Sequence, residues 1–165
     1  YGESHQNYIN KAIHWLWVPL IMLSLLSLIG MIPFFINSLK IFSIGSFSIY
    51  LNWTLIFLLF CIIFYLRLSF TLAIGMLLIA ISMLYLIEII ELYDPKIWRL
   101  SLLIFIVAWI GQFIGHKIEG KKPSFFEDLQ FLLIGPAWLL SFIYSKIGIK
   151  LWGLTLLLFY FQWFY

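Results

Sequence analysis

The chain predicts an all-α protein, a polytopic membrane helical bundle of about five to six transmembrane or interfacial helices. Three observations carry that expectation. Of its 165 residues, 64% are hydrophobic and 10% are charged, and the mean hydropathy is +1.07. A soluble domain is nearer half apolar and a quarter charged. The apolar residues gather in long runs, and the charges fall mostly between those runs. With so little polar material, residues 1–165 are expected to form a single integral membrane domain.

The runs follow one another closely. The first, Trp15 to Ile36, has 22 residues, with Pro19 near its start and Pro33 near its end. At about 1.5 Å per residue it is long enough to span a bilayer. The second, Tyr50 to Leu66, is at the short limit for a span. The third, Leu68 to Ile87, follows after Arg67 alone, so the hairpin between them must be tight. Arg67 can snorkel to the interface there. The fourth runs from Leu100 to His116, and the fifth from about Leu129 to Tyr144, where Gly135-Pro136 predicts a kink. The sixth, Leu151 to Tyr165, is short and rich in aromatics, which suits an interfacial helix. Of the connecting segments, Ser38 to Phe47 is polar, and Glu88 to Arg99 is charged with an Asp94-Pro95 turn signal. Lys117 to Asp128 is dense in charge, and Ser145 to Lys150 is short and basic.

Composition also excludes. A net charge of +3 and a pI near 9.0 do not point to nucleic acid, because the basic residues form no stripe and no recognition motif. One cysteine, Cys61, rules out a disulfide framework or a multi-cysteine metal site and reads as a small buried hydrophobe. No cleavable signal peptide is expected, since the first run is too long for one.

Two polar clusters interrupt this apolar background. One holds Gln112, His116 and Glu119, spaced to share a helix face at the end of the fourth run. The other holds His5, Asn7, Asn10 and His14. Polar groups near membrane depth are costly, so such clusters are candidate functional sites. Four crossings between His14 and His116 would return the chain to its starting face, bringing the clusters to one side of the membrane. Asn7, Asn10 and His14 form one helical stripe, but His5 is nine positions before His14, half a turn out of phase. Both histidines can face one point only if the helix starts after His5, with Asn7 near its N-cap. Orientation is not readable from charge: Lys11, Arg67, Lys117, Lys121 and Lys122 on the starting side face Lys40, Lys96, Arg99, Lys146 and Lys150 on the other.

Three imidazoles and a carboxylate suit iron, zinc, manganese or copper. Asn7, Asn10 and Gln112 are suited to hold the imidazole rings from behind. Lys121 and Lys122 could receive an acidic head group. Plainer roles exist for each. A lone interfacial histidine is usually just polar, Glu119 among lysines can be a solvated ion-pair group, and paired lysines often mark topology or lipid head groups. Glu88 and Glu91 share a face and mark a helix end at the opposite surface.

The strings His5-x-Asn7-x-x-Asn10-x-x-x-His14 and Trp109-x-x-Gln112-Phe113-x-Gly115-His116, followed by Glu119, Lys121-Lys122-Pro123 and Gly135-Pro136, resemble one membrane family. It is the family of 2-hydroxy fatty acid dioxygenases, named for the metabolism of phytosphingosine to odd-numbered fatty acids. The resemblance covers roughly residues 1–145, with Tyr8 where many members have Pro. It implies an Fe(2+)-dependent dioxygenase, independent of 2-oxoglutarate, that shortens a 2-hydroxy long-chain fatty acid by one carbon with O2. It implies His5, His14 and His116 as metal ligands and Glu119 as a fourth ligand or a base. It also implies membrane lipid as the surroundings: the inner membrane in a bacterium, the endoplasmic reticulum in a eukaryote. Rival readings are a lipid-active zinc hydrolase, a b-type haem protein ligated by His14 and His116, and a non-enzymatic lipid-binding protein. Oligomeric state leaves no mark in the sequence.

Overall fold

The computed structural model describes residues 7–35, 39–45, 47–120 and 132–151. Among these, five helices and one hairpin of strands are formed. Helix α1 spans Tyr8–Gly30, α2 Trp53–Leu68, α3 Phe70–Tyr93, α4 Ile97–Ile118 and α5 Ile134–Ile147. Strands β1 (Lys40–Ile44) and β2 (Phe47–Tyr50) lie between α1 and α2. Helices α1, α3 and α4 are long and apolar enough to cross a membrane, whereas α2 has 16 residues. Large side chains such as Phe60, Leu78, Leu103 and Ile110 point outward and are more than half exposed. A surface this apolar belongs against lipid. These features describe a helical membrane protein, as its composition predicts.

Helix ends follow local capping chemistry. Asn7 is the N-cap of α1: its backbone is extended, and its side chain accepts from the Ile9 amide at 2.8 Å. The helix therefore starts after His5, as joint use of His5 and His14 requires. Asn52 caps α2 by accepting from the Leu55 amide, and Ser69 caps α3 by accepting from the Leu72 amide. Ser69 alone joins α2 to α3, while Arg67 sits in the last turn of α2. Gly120, at a φ of 79°, follows the end of α4 in the left-handed conformation that costs glycine least.

Helices α1 and α4 pack antiparallel along their whole length. Asn10 lies against Gly115, Trp17 against Gly111 and Ile21 against Ala108. At the far end the Ser101 hydroxyl donates to Ser27 Oγ at 2.8 Å. The α2–α3 hairpin packs beside this pair through Leu58, Cys61, Tyr65, Leu72, Met76 and Ala80. Cys61 is buried in that cluster as a free thiol, as expected of a small core residue. Thr54 ties the hairpin to α1 by donating to the Leu26 carbonyl at 2.9 Å.

Three expectations are corrected. The segment after Pro33 is not simply a polar connection: Lys40 to Tyr50 pair as an antiparallel hairpin, turning at Gly45 with a φ of 60°. Helix α3 continues past Ile87 to Tyr93, so Glu88 and Glu91 lie in its last two turns and mark its end, as expected, rather than opening the connecting segment. Gly135-Pro136 does not kink a helix; it lies in the first turn of α5, where proline's missing N–H costs nothing.

Helix α5, with 14 described residues, is shorter than a bilayer span. Leu133, just before it, accepts from Tyr65 Oη and borders an apolar cavity of about 30 Å³ with Met22, Leu58, Met76 and Ala80. Its last turn reaches the start of α3, where Tyr144 Oη donates to the Thr71 carbonyl at 3.2 Å. Phe142 there stacks edge-on against Trp15 of α1, with centroids 5.6 Å apart. Lys146 therefore belongs at the end of the bundle that carries His14, not at the opposite end. The even split of basic residues that the six runs imply is thereby tipped toward the His14 end. The expectations for residues 152–165 lie outside the described residues.

Candidate functional site

The polar site is built where the N-terminus of α1 meets the C-terminus of α4. The sequence dictates this locally. On α1 the residues at positions 10, 14, 18 and 21 form one buried stripe at helical spacing, and its first two members are Asn10 and His14. On α4 the buried face carries Ala108, Gly111, Gln112 and Gly115, and this face continues to His116 and Glu119. Antiparallel packing then superimposes the polar end of each stripe.

The carboxylate of Glu119 sits directly over the first turn of α1. The Asn7 backbone N–H donates to both of its oxygens, at 3.1 and 3.0 Å, and Asn10 Nδ2 donates to Oε2 at 3.0 Å. A carboxylate is favoured here because the first amides of a helix have no intrahelical acceptor and the helix dipole is positive at this end. Asn10 is fully buried and serves both neighbours. Its side chain holds Glu119, and its backbone carbonyl lies 3.0 Å from His14 Nδ1. A carbonyl can only accept, so Nδ1 carries a proton, and in the neutral form of the ring the lone pair lies on Nε2. The amide side chains of Asn7 and Asn10 thus turn to the helix end and to Glu119, and a main-chain carbonyl orients His14.

His14 is buried and His116 half-buried. Their rings meet edge to face, with centroids 5.3 Å apart and an interplanar angle of 88°. Gln112 is buried one turn before His116. Among the described residues, no three potential ligands gather at one point. His5, Lys121 and Lys122 lie outside the described residues. The structure therefore brings His14 against His116, and Glu119 onto Asn7 and Asn10, at the same end of the α1–α4 pair, with Gln112 one turn before His116. The candidate that spacing alone did not single out is Gly115. Its signal was only the four-residue repeat with Gly111 on the same face as Gln112.

A family model described as "2-hydroxy-palmitic acid dioxygenase Mpo1-like" matches residues 1–147 of the chain. The chain belongs to this Mpo1-like family. No curated protein and no solved structure matches it. The Mpo1-like match takes in both polar clusters and helices α1 to α5. The family's name is that of a dioxygenase of a 2-hydroxy fatty acid, which agrees with the resemblance carried by the two histidine strings.

Proposed function

We propose that the protein is an iron(II)-dependent dioxygenase that shortens 2-hydroxy long-chain fatty acids by one carbon in fatty acid α-oxidation, releasing CO2. The observation that supports this reading is the contact of His14 with His116 at the end of the α1–α4 pair where Glu119 is held by Asn7 and Asn10, in a chain of the Mpo1-like family. His5, two residues before the N-cap of α1, would supply the third imidazole.

The donor set suits a metal: the His14 and His116 imidazoles lie with centroids 5.3 Å apart, and the Glu119 carboxylate is held at the same end of the helix pair.

Bound iron would provide the centre at which O2 accepts electrons from the substrate. The balance closes without another reductant: RCH(OH)COOH + O2 gives RCOOH, CO2 and H2O. The protein's own groups do the rest. His5, His14 and His116 would hold the metal, with the Asn10 carbonyl keeping His14 in one tautomer. Glu119, held by Asn7 and Asn10, would be a fourth ligand or take the proton of the substrate's 2-hydroxyl. Lys121 and Lys122 would meet the substrate carboxylate. The acyl tail would run among the apolar side chains between helices, where water is excluded.

The test is iron content and product analysis with 2-hydroxypalmitate. The native protein is expected to bind iron and release CO2 and the acid one carbon shorter. His116→Ala is expected to lose both. Retention of iron and activity by His116→Ala sinks the reading, and zinc in place of iron with no oxygen uptake favours a hydrolase.

A further inference from the structure

Gly111 and Gly115 lie four residues apart on the face of α4 that meets α1. Small residues at this spacing let membrane helices approach closely. Here the approach is occupied by particular side chains. A Cβ on Gly111 would collide with the indole of Trp17. A Cβ on Gly115 would stand 2.5 Å from Asn10 Oδ1 and 3.1 Å from Ile13 Cγ2. Asn10 cannot easily yield. It is fully buried, and its other amide atom is held 3.0 Å from Glu119. Moving it outward breaks that bond, and moving α1 outward separates His14 from His116.

We propose that Gly111 and Gly115 are positioning residues: their missing side chains form a notch that seats Trp17 and Asn10, and this seat sets the helix approach that holds His14 and His116 together and Asn10 on Glu119. The inference rests on the proposed metal site for its functional consequence, but its geometric content stands without it. The notch acts at the site end alone. The far end of the same helix pair is fixed separately, by Ser27 and Ser101.

Two readouts test this on the full chain in detergent. The first is Co(II) binding and its d–d absorption, which reports ligand geometry independently of turnover. Gly115→Ala is expected to weaken Co(II) binding by about tenfold to a hundredfold, the range typical of lost support behind a ligand, and to shift the band. Gly111→Ala is expected to do the same, with recovery in the double variant Gly111→Ala, Trp17→Leu, which empties the seat. Ser27→Ala serves as control: it weakens the same helix pair at the far end and is expected to leave the Co(II) band where it was. The second readout needs no metal. Nitroxides on Tyr8→Cys and Ile118→Cys, both exposed, in a Cys61→Ser background report the α1–α4 separation by dipolar EPR. Gly115→Ala is expected to weaken their coupling. An unchanged coupling in Gly115→Ala overturns the inference, whatever the affinity. If Gly115→Ala does not fold, failure of the Trp17→Leu substitution to rescue Gly111→Ala overturns it as well. If the native chain binds no Co(II), the metal reading falls and the nitroxide result alone decides the notch.

Discussion

The two antiparallel helix pairs of this bundle are held by different chemistry. In the α2–α3 hairpin, Leu58 and Ala80 share one apolar cluster, and Cys61, Tyr65, Leu72 and Met76 share another. The joint is a single residue, Ser69. In the α1–α4 pair, polar groups sit at both ends: Ser27 with Ser101 at one, and Asn7, Asn10 and His14 with His116 and Glu119 at the other. Apolar contact supplies little preference between helix–helix and helix–lipid neighbours inside a membrane. A hairpin with a one-residue joint needs none, because its partners are covalently adjacent. Helices α1 and α4 are distant in sequence, so they need polar contacts and close-fitting notches to choose one another. The pair that must be specified by polar groups is also the one that carries the proposed site.

That contrast can be broken by paired substitutions. His14→Ala and Leu72→Ala each empty a fully buried site, one in each pair. Leu72→Ala is expected to cost about 2–5 kcal/mol of stability, read as a fall in thermal midpoint, while the folded fraction keeps its full metal content. His14→Ala is expected to abolish metal binding. Loss of metal in a folded Leu72→Ala protein would mean that the two pairs are not separable.

Glu119→Gln sharpens the assignment at the site end. The carboxylate accepts from the Asn7 N–H and the Asn10 amide at the positive end of α1. Removing its charge is expected to cost about 1–2 kcal/mol of stability. A fall in metal affinity of about tenfold to a hundredfold marks Glu119 as a supporting group, and complete loss of metal marks it as a ligand. Metal affinity equal to that of the native chain would remove Glu119 from the site altogether.

The smallest effect is expected at the far end. Ser101→Ala removes the buried hydroxyl bond to Ser27 and is expected to cost about 0.6–1.7 kcal/mol, with metal binding unaltered. A large loss of metal from this substitution would show that the two ends of α1–α4 are coupled.

Much of this arrangement is legible in the residues. Helical spacing of Asn7, Asn10 and His14 predicts their shared stripe, and the phase of His5 demands a helix start near Asn7, where the N-cap is found. The meeting of the two clusters follows from counting crossings. Other features were legible only in part. The Lys40 to Tyr50 hairpin has a signal in Gly45-Ser46 between alternating apolar residues, but hydroxyls on one strand face disguise it as a polar connection. Proline at the start of α5 and proline within a helix look alike until the helix start is known. The seating of Asn10 on Gly115 depends on helix approach, which no single helix encodes.

The bond between Asn7 and Glu119 joins residues 112 positions apart. During synthesis from the N-terminus, α1 emerges first and α4 fourth among the described helices. His14 therefore emerges long before His116 and meets it only after α2 and α3 have been inserted. The proposed centre would be complete only once α4 has joined α1, so its metallation would follow the order in which the helices leave the ribosome.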